Sequence, residues 1–255
     1  MNPDFGTVIL IPDGITSNYQ SLQAKFQRSI SKGLQALVSY TWSHSLDFGS
    51  NNASLPLTRG NSDFDVRHNF QAGMSWDAPT PHLHSMISPA LSNWAADIRA
   101  IARTSYPVTL AGSSYVDPAT GNTFFSGLNL VPGQPTYLYG MQYPGGREIN
   151  PGAFSTPSVS SVGDAPRNFA RGFGEFQLNF AARRQFHLTD ALSLQFRAEA
   201  FNVLNRANFG TVDPLLTDTT FGQATQMLNQ SLGTVAAQYQ QGGPRSMQFA
   251  LKLRY

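Results

Sequence analysis

Apolar and polar residues alternate with period 2 along most of this chain, and the alternation comes in hairpin-like pairs. From Tyr19 onward, Leu22, Ala24, Phe26 and Ile30 alternate with Gln23, Lys25, Gln27 and Ser29. After Ser31-Lys32-Gly33, Leu34, Ala36, Val38, Tyr40 and Trp42 alternate with Gln35, Ser39, Thr41 and Ser43. The spacing predicts two strands of about a dozen residues joined by a tight turn, with Gly33 at positive φ. Strands that long exceed the globular mode of about five or six residues and suit a tilted bilayer crossing.

Five further stretches read the same way. Val66, His68, Phe70, Ala72, Met74 and Trp76 form one apolar face, and Trp94, Ala96, Ile98, Ala100, Ala102 and Tyr106 another. Phe176, Leu178, Phe180 and Ala182 follow, then Leu192, Leu194, Phe196, Ala198 and Ala200 after a turn near His187-Leu188-Thr189-Asp190. The chain closes on Met247, Phe249, Leu251, Leu253 and Tyr255, alternating with Ser246, Gln248, Lys252 and Arg254. Taken alone, that last stretch fits a soluble sandwich as well as a membrane barrel ending on an aromatic residue.

The connections break the tie. Segments 47–65, 107–171 and 202–243 are long, polar and without periodicity, save a helical turn expected near 225–232. Between 107 and 171 fall eight of the 16 prolines. The turns at 31–33, 77–93 and 187–191 are shorter and lie at the opposite end, although 77–93, with Pro79, Pro81 and Pro89, is long for its side. Short turns at one end and long loops at the other is the asymmetry of outer-membrane barrels. Trp76, Trp94 and Tyr255 are expected at the periplasmic rim, and Tyr19, Tyr40, Trp42 and Tyr106 at the outer rim, as two interfacial girdles. Arg28 and Arg184 interrupt apolar faces near strand ends, where they can snorkel.

Composition agrees. Charged residues are 13% of the chain and aromatics 12%, against about a quarter charged in ordinary soluble domains. No run of about 18 apolar residues marks a helical span. A net charge of +2, with scattered basic residues, gives no nucleic-acid surface, and zero cysteines leave no disulfide scaffold or thiolate metal site. The first residues carry no basic segment with an apolar core, so no signal peptide is read there.

Candidate chemistry is sparse. Asp63, Asp65 and Arg67, on one strand face beside His68, are read as an ion pair anchoring a loop, because the ligand count of a calcium site is missing. His82 and His84 lack a third zinc ligand, and His44 and His187 are read as isolated. No phosphate loop, GxSxG elbow or HExxH occurs. The expectation is therefore a non-enzyme with no catalytic, cofactor-binding or metal residues and no cofactor. The polar face, with Lys25, Arg67, Asp97, Arg99, Arg103, Glu175, Arg183, Arg197, Glu199, Lys252 and Arg254, reads as a wet lumen. The loops 107–171 and 202–243 are the places to capture a ligand, and no substrate-binding residue is assigned in them.

Several of these stretches resemble one family in order along nearly the whole chain. They are Ser17-Asn18-Tyr19-Gln20-Ser21-Leu22-Gln23, Ser31-Lys32-Gly33-Leu34, Ser39-Tyr40-Thr41-Trp42-Ser43-His44-Ser45 and Asp63-Phe64-Asp65-Val66-Arg67-His68-Asn69-Phe70. Glu199-Ala200-Phe201-Asn202-Val203-Leu204-Asn205-Arg206-Ala207-Asn208-Phe209-Gly210 and the aromatic end complete the set. They are similar to Oar-like TonB-dependent transporters. The resemblance implies an all-β, antiparallel up-and-down transmembrane barrel of about 22 strands, with an N-terminal plug and nutrient import across a Gram-negative outer membrane. Residues 1–255 are then expected to be a C-terminal barrel segment of about seven strands, a fragment without plug or signal peptide. Its expected partners are membrane lipid, the rest of the barrel and the plug, with the TonB system reached only through the missing N-terminal part. A passive or structural outer-membrane protein (adhesin or porin-like) and a secreted soluble β-sandwich binding module are the alternatives.

Overall fold

The computed structural model describes residues 15–31, 33–50, 58–79, 92–116, 121, 123–158, 163–232 and 241–255. Seven long strands form one antiparallel sheet in chain order: β1 (Asn18–Ser31), β2 (Leu34–Asp47), β3 (His68–Asp77), β4 (Trp94–Arg103), β5 (Glu175–His187), β6 (Ser193–Phe201) and β7 (Ser246–Arg254). A two-residue strand, Gly60–Asn61, pairs with the end of β2. The sheet is not closed: β1 and β7 are its edges.

The period-2 pattern sets the register. Leu22 lies opposite Trp42, Ala24 opposite Tyr40 and Phe26 opposite Val38, so the middle of one face of the hairpin is apolar, bounded by Gln20 opposite His44 at one end and Arg28 at the other. The rung continues sideways: Tyr40 faces Phe70, Phe70 faces Ala102 and Ala102 faces Phe176. A slip of one residue would turn every one of these side chains into the polar face, which is what pins the pairing. At the β1–β2 turn Gly33 takes φ +77, and its carbonyl accepts the Asp77 N–H at 2.8 Å. A Cβ there would sit 2.5 Å from the Asp77 carbonyl oxygen, so only glycine fits.

On the central strand β5 burial is inverted relative to a water-soluble fold. On β5 the polar-face residues Glu175, Gln177 and Ala181 are buried, whereas Phe180 on the apolar face is 42% exposed. Leu22, Phe26, Phe70, Met74 and Trp76 on the same apolar face are likewise exposed. A soluble sandwich covers such a face. A sheet that turns it outward needs an apolar solvent.

At one end the strands are joined by Gly33, by 78–93 and by 188–192; at the other by 48–67, 104–174 and 202–245. The sidedness expected from the sequence is therefore present, with the long-loop end facing outward by the barrel rule. Trp76, Trp94 and Tyr255 cluster at the short-turn end, where Trp94 lies opposite Arg184 in the ladder. The Arg184 guanidinium sits 5.4 Å over the Trp94 ring and 4.6 Å over Phe186, a cation held by ring faces at the membrane rim.

Four expectations need correction. Tyr19 lies opposite Ser45, in the row of Ser21, Gln23 and Lys25, so it belongs to the polar face and not to the outer girdle. Tyr106 follows the end of β4 and packs its ring beneath Arg103 of the polar face, 4.5 Å away. β3 begins at His68, not Val66, because Asp63 and Phe64 form a turn.

The largest correction concerns 107–171, whose described residues are folded. Pro107–Val108 pairs with Ala170–Arg171, Ser114–Val116 with Thr123–Phe125, Asn129–Leu130 with Phe154–Ser155, and Tyr137–Tyr139 with Arg147–Ile149. A buried cluster of Leu110, Leu128, Ile149, Phe154 and Ala170 recruits Val212 and Phe221 from the next loop. Phe154 meets Phe221 edge-on, with ring centroids 5.9 Å apart. The two loops thus make one cap with its own core. The expected helical turn in the second loop is Leu228–Ser231.

Candidate functional site

Three features occupy the polar side of this wall, and each grows from the register. In mid-sheet, Asp97 on β4 accepts from Arg197 of β6 at 2.9 Å, lies 3.5 Å from Arg183 of β5, and takes the Ser75 hydroxyl of β3 at 2.7 Å. Arg183 also reaches Asp77 at 3.0 Å, and Arg197 reaches Glu199 at 2.7 Å. Nearer the cap, Arg103 pairs with buried Glu175 at 2.8 Å. Of the charges expected on the polar face, Arg103 and Glu175 stand as a separate pair, while Asp97, Arg183, Arg197 and Glu199 join Asp77 in one connected ladder across β3 to β6. It keeps water-loving groups on the inner surface of an apolar-backed wall.

The second feature is a lock between the first and second long loops. Asp65 is completely buried. Its carboxylate accepts from Arg67 at 3.0 Å, from Arg171 and from the Ser45 backbone N–H at 2.8 Å, with His44 Nδ1 at 3.2 Å. Burial raises the Asp65 carboxyl, but the Ser45 amide, Arg171 and His44 outweigh it and hold the group below the ordinary carboxylate value. Asp63 takes Arg167 at 3.4 Å and Asn168 at 2.5 Å instead. An ion pair anchoring a loop is thus present, but built in a turn rather than on a strand face. His44, read as isolated, is part of it. His68 is not; it is hydrogen-bonded to Tyr40 Oη at 2.7 Å on the apolar face. His187 ends β5, and His82 and His84 lie outside the described residues.

Sequence reading missed Arg167, Asn168 and Arg171. In a chain with so few charges, two arginines four apart in a Pro- and Gly-flanked stretch, opposite two carboxylates in another loop, were the available signal.

The third feature is a cavity of about 420 Å³ where the two large loops meet above the polar face. Tyr106, Thr109 and Phe173 line it from one loop, Phe209 and Thr211 from the other, and Arg103 from the end of β4. The loops are stitched beside it by Ala111 N–H to the Pro214 carbonyl, 2.9 Å, and Leu216 N–H to the Ala111 carbonyl, 2.8 Å. Asn202, at φ +48, ties the end of β6 to both arms of its loop. Its side-chain amide donates to the carbonyls of Arg206 and Gly243 at 2.8 and 2.9 Å. The two loops expected to be places for ligand capture thus share a space lined by the aromatic residues Tyr106, Phe173 and Phe209 and by Thr109 and Thr211.

No curated protein and no solved structure matches the chain. A family described as the outer membrane β-barrel domain matches residues 1–248. With an outward apolar face, a charged inner face and long loops at one end only, that match has a direct physical counterpart in this wall: the chain belongs to the outer membrane β-barrel domain family, and its place is the outer membrane.

Proposed function

We propose that this wall is part of an Oar-like TonB-dependent transporter that imports a bulky nutrient, a saccharide, metal chelate or peptide. The observation that carries the reading is the 420 Å³ cavity held by two interlocked loops over a charged inner face. A rigid cap with a rimmed cavity suits capture of a particular solute, whereas a general diffusion pore needs only a wet lumen. The open edges of β1 and β7 leave room for further strands, and a plug inside the completed barrel would gate passage. The reading assigns the chain no catalysis and no cofactor. Its partners are lipid, the remaining barrel and the plug, with TonB acting through the latter.

The test is uptake of labelled candidate nutrients by cells with and without the gene, and with TonB removed or the proton gradient collapsed. Uptake that needs the gene, TonB and the gradient supports the transporter. Uptake that needs the gene but neither TonB nor the gradient supports a passive barrel, the second reading, which the two free edges favour if other copies complete the wall. Cross-linking that finds one copy only would then count against that second reading.

A further inference from the structure

We infer that the outer rim of the lipid-facing side carries a binding site for the phosphate of an anionic lipid headgroup, built on Arg206 and Arg147. The apolar rung Phe70–Ala102–Phe176 crosses β3, β4 and β5 next to their long-loop ends. Small Ala102 between two phenylalanines leaves a trough in a face that lies against lipid. Immediately above it the two large loops overhang, and the space between is a cleft of about 720 Å³. Two arginines are held over this cleft. The Arg206 guanidinium sits 5.4 Å from the Phe176 ring and that of Arg147 4.9 Å from the Phe173 ring.

Neither arginine is committed to a carboxylate among the described residues. Arg147 donates to the backbone carbonyls of Arg171 and Gly172, which leaves the rest of its fork available. Arg206 is exposed, and its backbone is clamped at both ends by Asn202, its N–H donating to Oδ1 at 3.1 Å and its carbonyl accepting from Nδ2 at 2.8 Å. The single acidic lining residue, Glu175, is already paired with Arg103. His68 adds a polar group at the same height. Charge complementarity and continuity with the membrane-facing surface identify the occupant: acyl chain on the rung, phosphate on the two guanidiniums, which match it as paired donors.

The test uses the protein as assembled in outer membranes, extracted, delipidated and followed by native mass spectrometry with added phosphatidylglycerol or phosphatidylcholine. Retention of phosphatidylglycerol over phosphatidylcholine is expected, with Arg206→Gln and Arg147→Gln each weakening it about tenfold and Arg206→Lys recovering part. Arg254→Gln, at the opposite rim, is the control and should change nothing. Heat-modifiable migration confirms that each variant is folded. Equal retention of the two lipids, or unchanged retention in both glutamine variants, overturns the proposal. Full displacement of phosphatidylglycerol by millimolar inorganic phosphate also overturns it, since the site would then be a free-anion site.

Discussion

Arg183 and Arg197 face each other directly across the β5–β6 ladder. Two like charges in that position repel, and the pair is tolerated because Asp97 of β4 lies within reach of both, 3.5 Å from Arg183 and 2.9 Å from Arg197. Three strands are therefore coupled through one carboxylate. Asp97→Ala should uncover the repulsion and lower stability by about 1–2 kcal/mol. Removing Arg197 as well should restore part of the loss, so the double variant costs less than the sum of the singles. Urea midpoints of folded, heat-modifiable protein in detergent micelles check this; strict additivity would contradict the coupling.

Asp65 gives the loop lock a pH dependence. Its folded carboxyl titrates below the ordinary value of 3.8. Stability from such a group is fully present above the unfolded value and is lost as pH falls through the lower, folded one. Protection of the amides in 164–172, taken as exchange relative to an unstructured chain at the same pH, should therefore be high at neutral pH and fall only below about pH 4. Asp65→Asn leaves Arg67 and Arg171 facing a neutral amide. It should cost roughly 3 kcal/mol and leave protection in that segment low and nearly independent of pH in the acid range. A variant that keeps the wild-type acid transition would remove Asp65 as its cause.

These two sites divide what the sequence could and could not reveal. The ladder was legible because Asp97, Arg183 and Arg197 sit on strands whose alternation fixes the face of every residue. The lock was half legible. Asp63, Asp65 and Arg67 look like one more stretch of period 2, but the turn at Asp63 and Phe64 ends the strand geometry and sends the two carboxylates to different arginines. The cap was not legible. Its core joins Leu110, Leu128 and Phe154 to Val212 and Phe221, residues far apart in a chain of turns and two- or three-residue strands. Long-range contacts of that kind leave no period to read. The same holds for Arg147 and Arg206, which line one cleft only because both loops fold back over the sheet.

Gly33 ties the β1–β2 turn to the end of β3, the next strand in pairing order. Its positive φ and the closeness of the Asp77 carbonyl mean that Gly33→Ala strains the backbone and pushes β3 away at once. The expected loss is about 1–2 kcal/mol, more than the φ effect alone. Because the turn closes the first hairpin, folding into lipid vesicles should slow as well. An alanine variant as stable as the parent would show that the Asp77 contact yields freely.

The assignment of faces has its own test, and the chain suits it because it contains no cysteine. On β7, Gln248 lies opposite Glu199 on the charged face, while Phe249 lies opposite Ala198 on the apolar one. Lys252 and Leu251 repeat the alternation, opposite Gln195 and Phe196. Single substitutions Gln248→Cys and Lys252→Cys should react with a water-soluble maleimide when the protein is in intact outer membranes. Phe249→Cys and Leu251→Cys should resist it and instead quench with lipid-borne spin labels once carrying a fluorophore. A soluble sheet would give the same maleimide order, because its apolar face is packed and its polar face wet, but Phe249→Cys and Leu251→Cys would show no quenching by lipid-borne spin labels, so the quenching decides. Reactivity without a two-residue period would mean that β7 does not cross the membrane, because a strand in a barrel wall has one face in lipid and one in water at every step.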